Sequence, residues 1–375
     1  MEGLSIMADV KFIPSIKHRI KGLDELRGIA ISSVLIGHIA WLFPEHGVYN
    51  FISRLGLGAV GVNLFFIISG YLIATILIKS KGDDNYFTKF YIRRAFRILP
   101  LAYLMIFLGF IATYLANRPF DNPFDSLLYY LTFTQNFIPS PPEGTLRVGS
   151  NYILPLIGLS PMWSLAVEEQ FYLILPFLIK FVKEKFFPYL IFIISIFSVF
   201  LSLQFPPEVE FLYTNFKQTW FRLFYFGIGF YLTSTRYNFY LVALFLCWGL
   251  LQAIYAFNGV VFGVLELPIA IVFTVVVYVS INKQLYIKNK VMSEFGKLCF
   301  GIYLFHYPIT SGLRHANLKL DTIEKLIVVV AYIAVSYILA KLSYTYFEIP
   351  IQNQRHKFEN LKFKFGNILK LVRGN

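Results

Sequence analysis

The chain has 375 residues, 57% of them hydrophobic, 19% aromatic and only 15% charged, with a mean hydropathy of +0.61. That balance excludes an ordinary soluble domain and describes an all-α integral membrane protein. The net charge of +13 does not point to nucleic acid, because the Lys and Arg residues sit in short loops beside apolar runs, where membrane orientation accounts for them.

In chain order, residues 1–22 carry basic residues and lead into an apolar run that lacks a small-residue cleavage site. They read as a cytoplasmic tail rather than a removable signal. Runs long enough to cross a bilayer of about 30 Å follow at 28–43, 55–78, 98–117, 160–182, 187–203, 218–233, 237–256, 259–281, 291–312 and 326–347, with a shorter candidate at 126–139. Charge decides the shorter one. Lys79, Lys81, Lys89, Arg93, Arg94 and Arg97 outweigh Asp83 and Asp84, and Lys180, Lys183 and Lys185 form the next basic cluster. Both clusters belong on the cytoplasmic side. An even number of crossings must separate them, so 98–117 and 160–182 cross and 126–139 is a re-entrant or interfacial segment of an outer loop. Arg236, then Lys283 with Lys288 and Lys290, and the basic tail fall inside on the same scheme.

The expected fold is a polytopic bundle of about ten transmembrane helices in the cytoplasmic membrane, both termini inside, with the functional domain at 23–350. Residues 351–375 form a basic tail in which Phe358, Leu361, Phe365, Leu369 and Val372 recur at helical spacing, predicting an amphipathic helix on anionic lipid. Cys247 and Cys299 lie inside apolar runs and read as packing, with no disulfide framework.

The first run begins directly after Arg27 and carries one histidine, His38. In a helix the eleven-residue step puts both on one face, about 16 Å apart along the axis. An ionisable group within a membrane segment is a functional candidate because burying it is costly; the structural alternative is a core histidine satisfied by a neighbour. By helix rise, Glu168 and Glu169 in the fourth run, Asn63 in the second and His306 in the ninth lie at a similar depth. A carboxylate beside an imidazole stabilises the imidazolium, as a general base toward a hydroxyl requires, so His38 with Glu168 or Glu169 is the candidate chemistry. His306 and Asn63 read instead as interhelical hydrogen-bonding groups. No metal site is expected. On the opposite side, RRAFR sets Arg93, Arg94 and Arg97 at a helix start, and with Arg27 they form a patch able to hold phosphates bidentately. Simple orientation by positive charge is the competing reading of that patch.

Several motifs in order resemble the acyltransferase 3 family of membrane acyltransferases, which acylate cell-surface carbohydrates. They are Arg27 with His38, GVNLFFIISGYLI with Asn63 and Ser69, RRAFRILP, WSLAVEEQFY with Trp163, Ser164 and Glu168, FGKLCFGIYLFHYP, and the closing YFEIP. The resemblance spans residues 23–350 and implies a ten-helix core, a catalytic histidine in the first helix and an acyl-CoA donor, acetyl-CoA above all, used from the cytoplasm. It implies the stand-alone form, without the esterase-like domain that some members carry. The implied partners are acyl-CoA, a carbohydrate or glycolipid acceptor and membrane lipids, with no permanently bound cofactor. A transporter or lipid flippase, which also places ionisable groups at depth, is the alternative.

Overall fold

The computed structural model describes residues 22–43, 47, 55–115, 123–137, 158–204, 222–257, 266–282, 288–316 and 320–359. Among them the architecture is all helical, 88% helix with no strand. The main elements are α1 (Leu23–Leu42), α2 (Leu57–Ser80), α3 (Tyr86–Leu115), α4 (Pro123–Leu131), α5 (Met162–Phe181), α6 (Phe187–Gln204), α7 (Leu223–Tyr231), α8 (Asn238–Phe257), α9 (Glu266–Ile281), α10 (Lys290–His315) and α11 (Thr322–Ser343). A π turn at Tyr344–Glu348 and two short helices, Ile349–Asn353 and His356–Glu359, continue α11.

Among the described residues four helical stretches, fewer than the ten expected, are long and apolar enough to cross a membrane: Leu57–Ser80, Tyr86–Leu115, Met162–Phe181 and Thr322–Glu359. Their outward faces explain what surrounds them. Phe107 on α3, Leu173 on α5, Ile193 and Phe197 on α6, Leu246 and Leu250 on α8, and Ile327 and Val330 on α11 are all more than half exposed. Large apolar side chains repeating along so many helices have no favourable contact with water, and hydrocarbon is the solvent that suits them.

The interior is organised around α1, which packs chiefly against α10 and α2. The contact is backbone against backbone, and glycines make it possible. A Cβ on Gly28 would collide with the carbonyl of Met292, one on Gly296 with the carbonyl of Asp24, and one on Gly61 with the carbonyl of Ala30. Small residues permit this approach, which apolar association within lipid depends on. α2 in turn packs on α7, where Gly70 meets Phe226 and Gly229 meets Ile67 in the same way.

Two sequence expectations change here, the arginine turn and the 218–233 run, while the short segment near 126–139 stays too short to cross. The arginine turn is not at a helix start: α3 runs from Tyr86 through Pro100 to Leu115 without a break. Lys89, Arg93 and Arg94 interrupt the apolar run but not the helix, whose early turns are fixed by Tyr86 Oη donating to the Pro176 carbonyl (3.0 Å) and Tyr91 Oη to that of Leu173 (2.9 Å). α4 has nine residues, about 14 Å at 1.5 Å per residue and less than half a bilayer core. α7 is equally short and is buried almost all round, from Phe224 to Tyr231, so the described part of the 218–233 run is a core helix. The amphipathic pattern expected beyond Glu359, like the loop at 140–150, lies outside the described residues.

Candidate active site

Five helices converge on one cavity with about 810 Å³ of empty space counted out to its open mouth. α1 contributes Arg27; α2 contributes Val62 and Ser69; α3 contributes Arg94 and Arg97; α5 contributes Ser164, Glu168 and Tyr172; α10 contributes Cys299 and Tyr303. Phe65, Phe66 and Phe300, with Leu72, Ile73, Ile98 and Leu165, complete the wall.

Helix geometry divides the arginines. At 100° per residue, Arg97 lies about 40° around α3 from Arg93 and about 60° from Arg94 on its other side. Arg94 and Arg97 face the cavity, whereas Arg93 turns away and makes a bidentate pair with Glu359, Nε to Oε1 at 3.0 Å and Nη2 to Oε2 at 2.9 Å. Arg93 therefore leaves the expected phosphate patch and ties down the segment after α11, where Asn85 also donates to the Glu359 carbonyl (3.1 Å). Arg94 stacks over Tyr172 at 4.8 Å, and neither it nor Arg97 makes a hydrogen bond or ion pair with any described residue. Among the described residues Arg27 has only the 3.4 Å pair with Asp24 one turn away. Three guanidiniums thus share one cavity with most of their donors unused by the described residues.

Glu168 is on the cavity wall rather than beside an imidazole. Its Oε1 accepts from Ser69 Oγ at 2.6 Å and from the Tyr172 hydroxyl. Glu169 lies one residue away, outside the lining, with its Oε1 buried and unpaired among the described residues. Ser164 Oγ and Tyr303 Oη are 2.5 Å apart, and Tyr303 Oη also reaches the Pro161 carbonyl at 2.7 Å. Trp163, half-buried, sets its ring edge against Phe66 at 6.4 Å.

His38 and His306 are not among the residues that line the cavity. Val62 on its wall follows Gly61, which presses against Ala30, Ser33 and Val34. The Val34 carbonyl is 2.9 Å from His38 Nδ1. Because a carbonyl can only accept, that nitrogen carries the proton, and Nε2 is left with a basic lone pair. The His38 ring meets the His306 ring edge-on, with centroids 4.9 Å apart, and the Tyr307 ring at 5.3 Å. The described neighbour of His38 Nδ1 is thus a backbone carbonyl and not Glu168.

The expected common layer separates laterally into three groups. His38 and His306 form one and the Glu168 cluster another. Asn63 belongs to a third, donating to Tyr225 Oη at 2.7 Å and accepting from buried Arg222 at 3.3 Å. Sequence reading passed over Tyr303, although it stands four residues after Cys299 and three before His306, a spacing that puts all three along one side of α10. It passed over Arg222 as well, an ionisable residue inside the 218–233 run.

The family model described as "Acyltransferase domain" (acyltransferase 3) matches residues 20–342. A putative peptidoglycan O-acetyltransferase of Bacillus subtilis is 36% identical over 177 residues, covering 42% of this chain and 24% of that protein. The peptidoglycan O-acetyltransferase OatA of Listeria monocytogenes is 26% identical over 391 aligned residues, covering 91% of this chain and 56% of its own length. A putative O-acetyltransferase of Staphylococcus aureus is 29% identical over 184 residues, covering 47% of this chain and 26% of that protein. The chain thus spans between about a quarter and just over half the length of these relatives. No solved structure matches it.

Proposed function

From the premise that this chain belongs to the acyltransferase 3 family, we propose that it moves an acetyl or related acyl group from cytoplasmic acyl-CoA to a hydroxyl of a cell-surface or lipid-linked carbohydrate. The observation that carries the reading is a cavity lined by Arg27, Arg94, Arg97 and Val62, where Gly61, next to Val62, packs against Val34, whose carbonyl is 2.9 Å from His38 Nδ1. The arginine end holds the nucleotide phosphates. Their unused N–H donors match phosphate oxygens in bidentate geometry. Pantetheine then runs along the apolar wall and presents its thioester roughly 16 Å further on, at the level of His38.

His38 Nε2 removes the proton of the acceptor hydroxyl, which attacks the thioester carbonyl. Glu168, flanked by Ser69 and Tyr172, holds the polar wall between the two ends, with Glu169 behind it. The relatives' names support a glycan hydroxyl as acceptor. In this reading the chain crosses the cytoplasmic membrane about ten times with both termini inside, so donor and acceptor arrive from opposite faces. The test is His38→Ala in membranes given labelled acetyl-CoA: transfer should disappear while acetyl-CoA still binds. Normal transfer by that variant overturns the assignment.

A further inference from the structure

His306 is a fully buried imidazole (0% exposed) that the donor site does not use. Its Nδ1 lies 2.6 Å from the Tyr303 carbonyl and 3.2 Å from that of Ile302. Those acceptors place the proton on Nδ1, as the Val34 carbonyl does for His38. Its Nε2 is consequently a lone pair, buried and without a hydrogen-bond partner among the described residues. An unpaired buried acceptor forfeits its hydration without a replacement bond and is costly. If His306 served only to glue helices together, this nitrogen would be the one expected to bond across the interface, and it bonds to no described residue.

What stands beside it is a second imidazole in the same tautomer, at 4.9 Å between ring centroids. Two neutral imidazoles with their Nδ1 positions both tied to backbone have little to offer one another. Once either gains a proton on Nε2, the other becomes its acceptor. Glycine packing holds the pair in place, since α1 and α10 touch backbone to backbone at Gly28 and Gly296.

We infer that His306 is a positioning residue that acts through His38, sharing the proton that His38 takes from the acceptor. The inference rests on the acyl-transfer reading above. In the step, the acceptor O–H breaks and its proton goes to His38 Nε2, while the oxygen forms a C–O bond to the thioester carbonyl. The C–S bond breaks, its electron pair leaving on the sulfur of CoA. The proton, shared meanwhile between the two imidazoles, ends on that sulfur as the free thiol, so no further reactant is needed. Tyr303, which lines the cavity and whose ring centroid is 5.5 Å from that of His306, joins the pair to the donor side.

Two variants of the full chain test this in inside-out vesicles from a host that carries its native acceptor, with radiolabelled acetyl-CoA as the probe. His306→Asn keeps a donor for the Tyr303 carbonyl but has no group at Nε2; His306→Gln puts an amide there that cannot take a proton. Both should lower the maximal transfer rate by about 10- to 100-fold, at or below the usual span for a general base itself. KM for acetyl-CoA should stay within about twofold, because the missing group acts after the donor is bound. The inference is overturned by a wild-type rate in either variant, or by a fall in rate matched by a rise in KM, which would mean a damaged cavity. If His38→Ala itself transfers normally, the acyl-transfer reading fails first, and the two failures are told apart.

Discussion

Replacing Arg93, Arg94 and Arg97 with alanine one at a time separates the donor site from the orientation signal. Sequence makes the three equivalent, but Arg94 and Arg97 face the cavity while Arg93 is bound to Glu359. A hydrogen bond to a charged group contributes about 1.5–3 kcal/mol. At about 1.4 kcal/mol per tenfold, Arg94→Ala or Arg97→Ala should raise the Kd for acetyl-CoA about 10- to 100-fold. Arg93→Ala should leave that Kd within about twofold and cost no more than about 1 kcal/mol of stability, since its side chain is 44% exposed and ion pairs of that kind are weak. Lysine at position 94 should recover only part of the loss, since an ammonium keeps the charge but not the planar fork. The assay is equilibrium binding of radiolabelled acetyl-CoA to the full chain in nanodiscs, with a thermal melt on each variant. Equal weakening by Arg93→Ala and Arg94→Ala, or full rescue by lysine, would refute the reasoning and return the whole cluster to membrane orientation.

Gly296→Val should lower the melting temperature by several degrees and abolish transfer, because the added side chain meets the Asp24 backbone, which cannot yield, and overpacking of this kind costs about 1–3 kcal/mol; an unchanged melt would argue against the α1–α10 contact. A reporter at position 145 should be external and one at 287 cytoplasmic, and a cytoplasmic signal at 145 would reverse the placing of α4 and of the donor and acceptor faces. Incubating the wild-type chain with labelled acetyl-CoA and no acceptor should leave no label on protein; trapped acyl-histidine that turns over on adding acceptor would replace direct transfer with a relay through His38.

The sequence alone determined that this is a helical membrane protein, which runs form helices, and that Arg27 and His38 share a face about three turns apart. These properties are local: hydropathy, a 3.6-residue period and a rise of about 1.5 Å fix element, face and depth without reference to the rest of the chain. Depth suggested that His38, Glu168, Asn63 and His306 belonged together. Tertiary structure decided otherwise, giving Glu168 to Ser69 and Tyr172, Asn63 to Tyr225 and Arg222, and leaving His38 with His306. It also sent Arg93 to Glu359, some 266 residues away, and extended α3 past the point where the apolar run stops. Lateral neighbours depend on which helices come close enough for their backbones to touch. That is set by glycines on different helices meeting one another, Gly28 and Gly296 between α1 and α10, Gly61 between α1 and α2, and no periodicity within either segment records who its partner is.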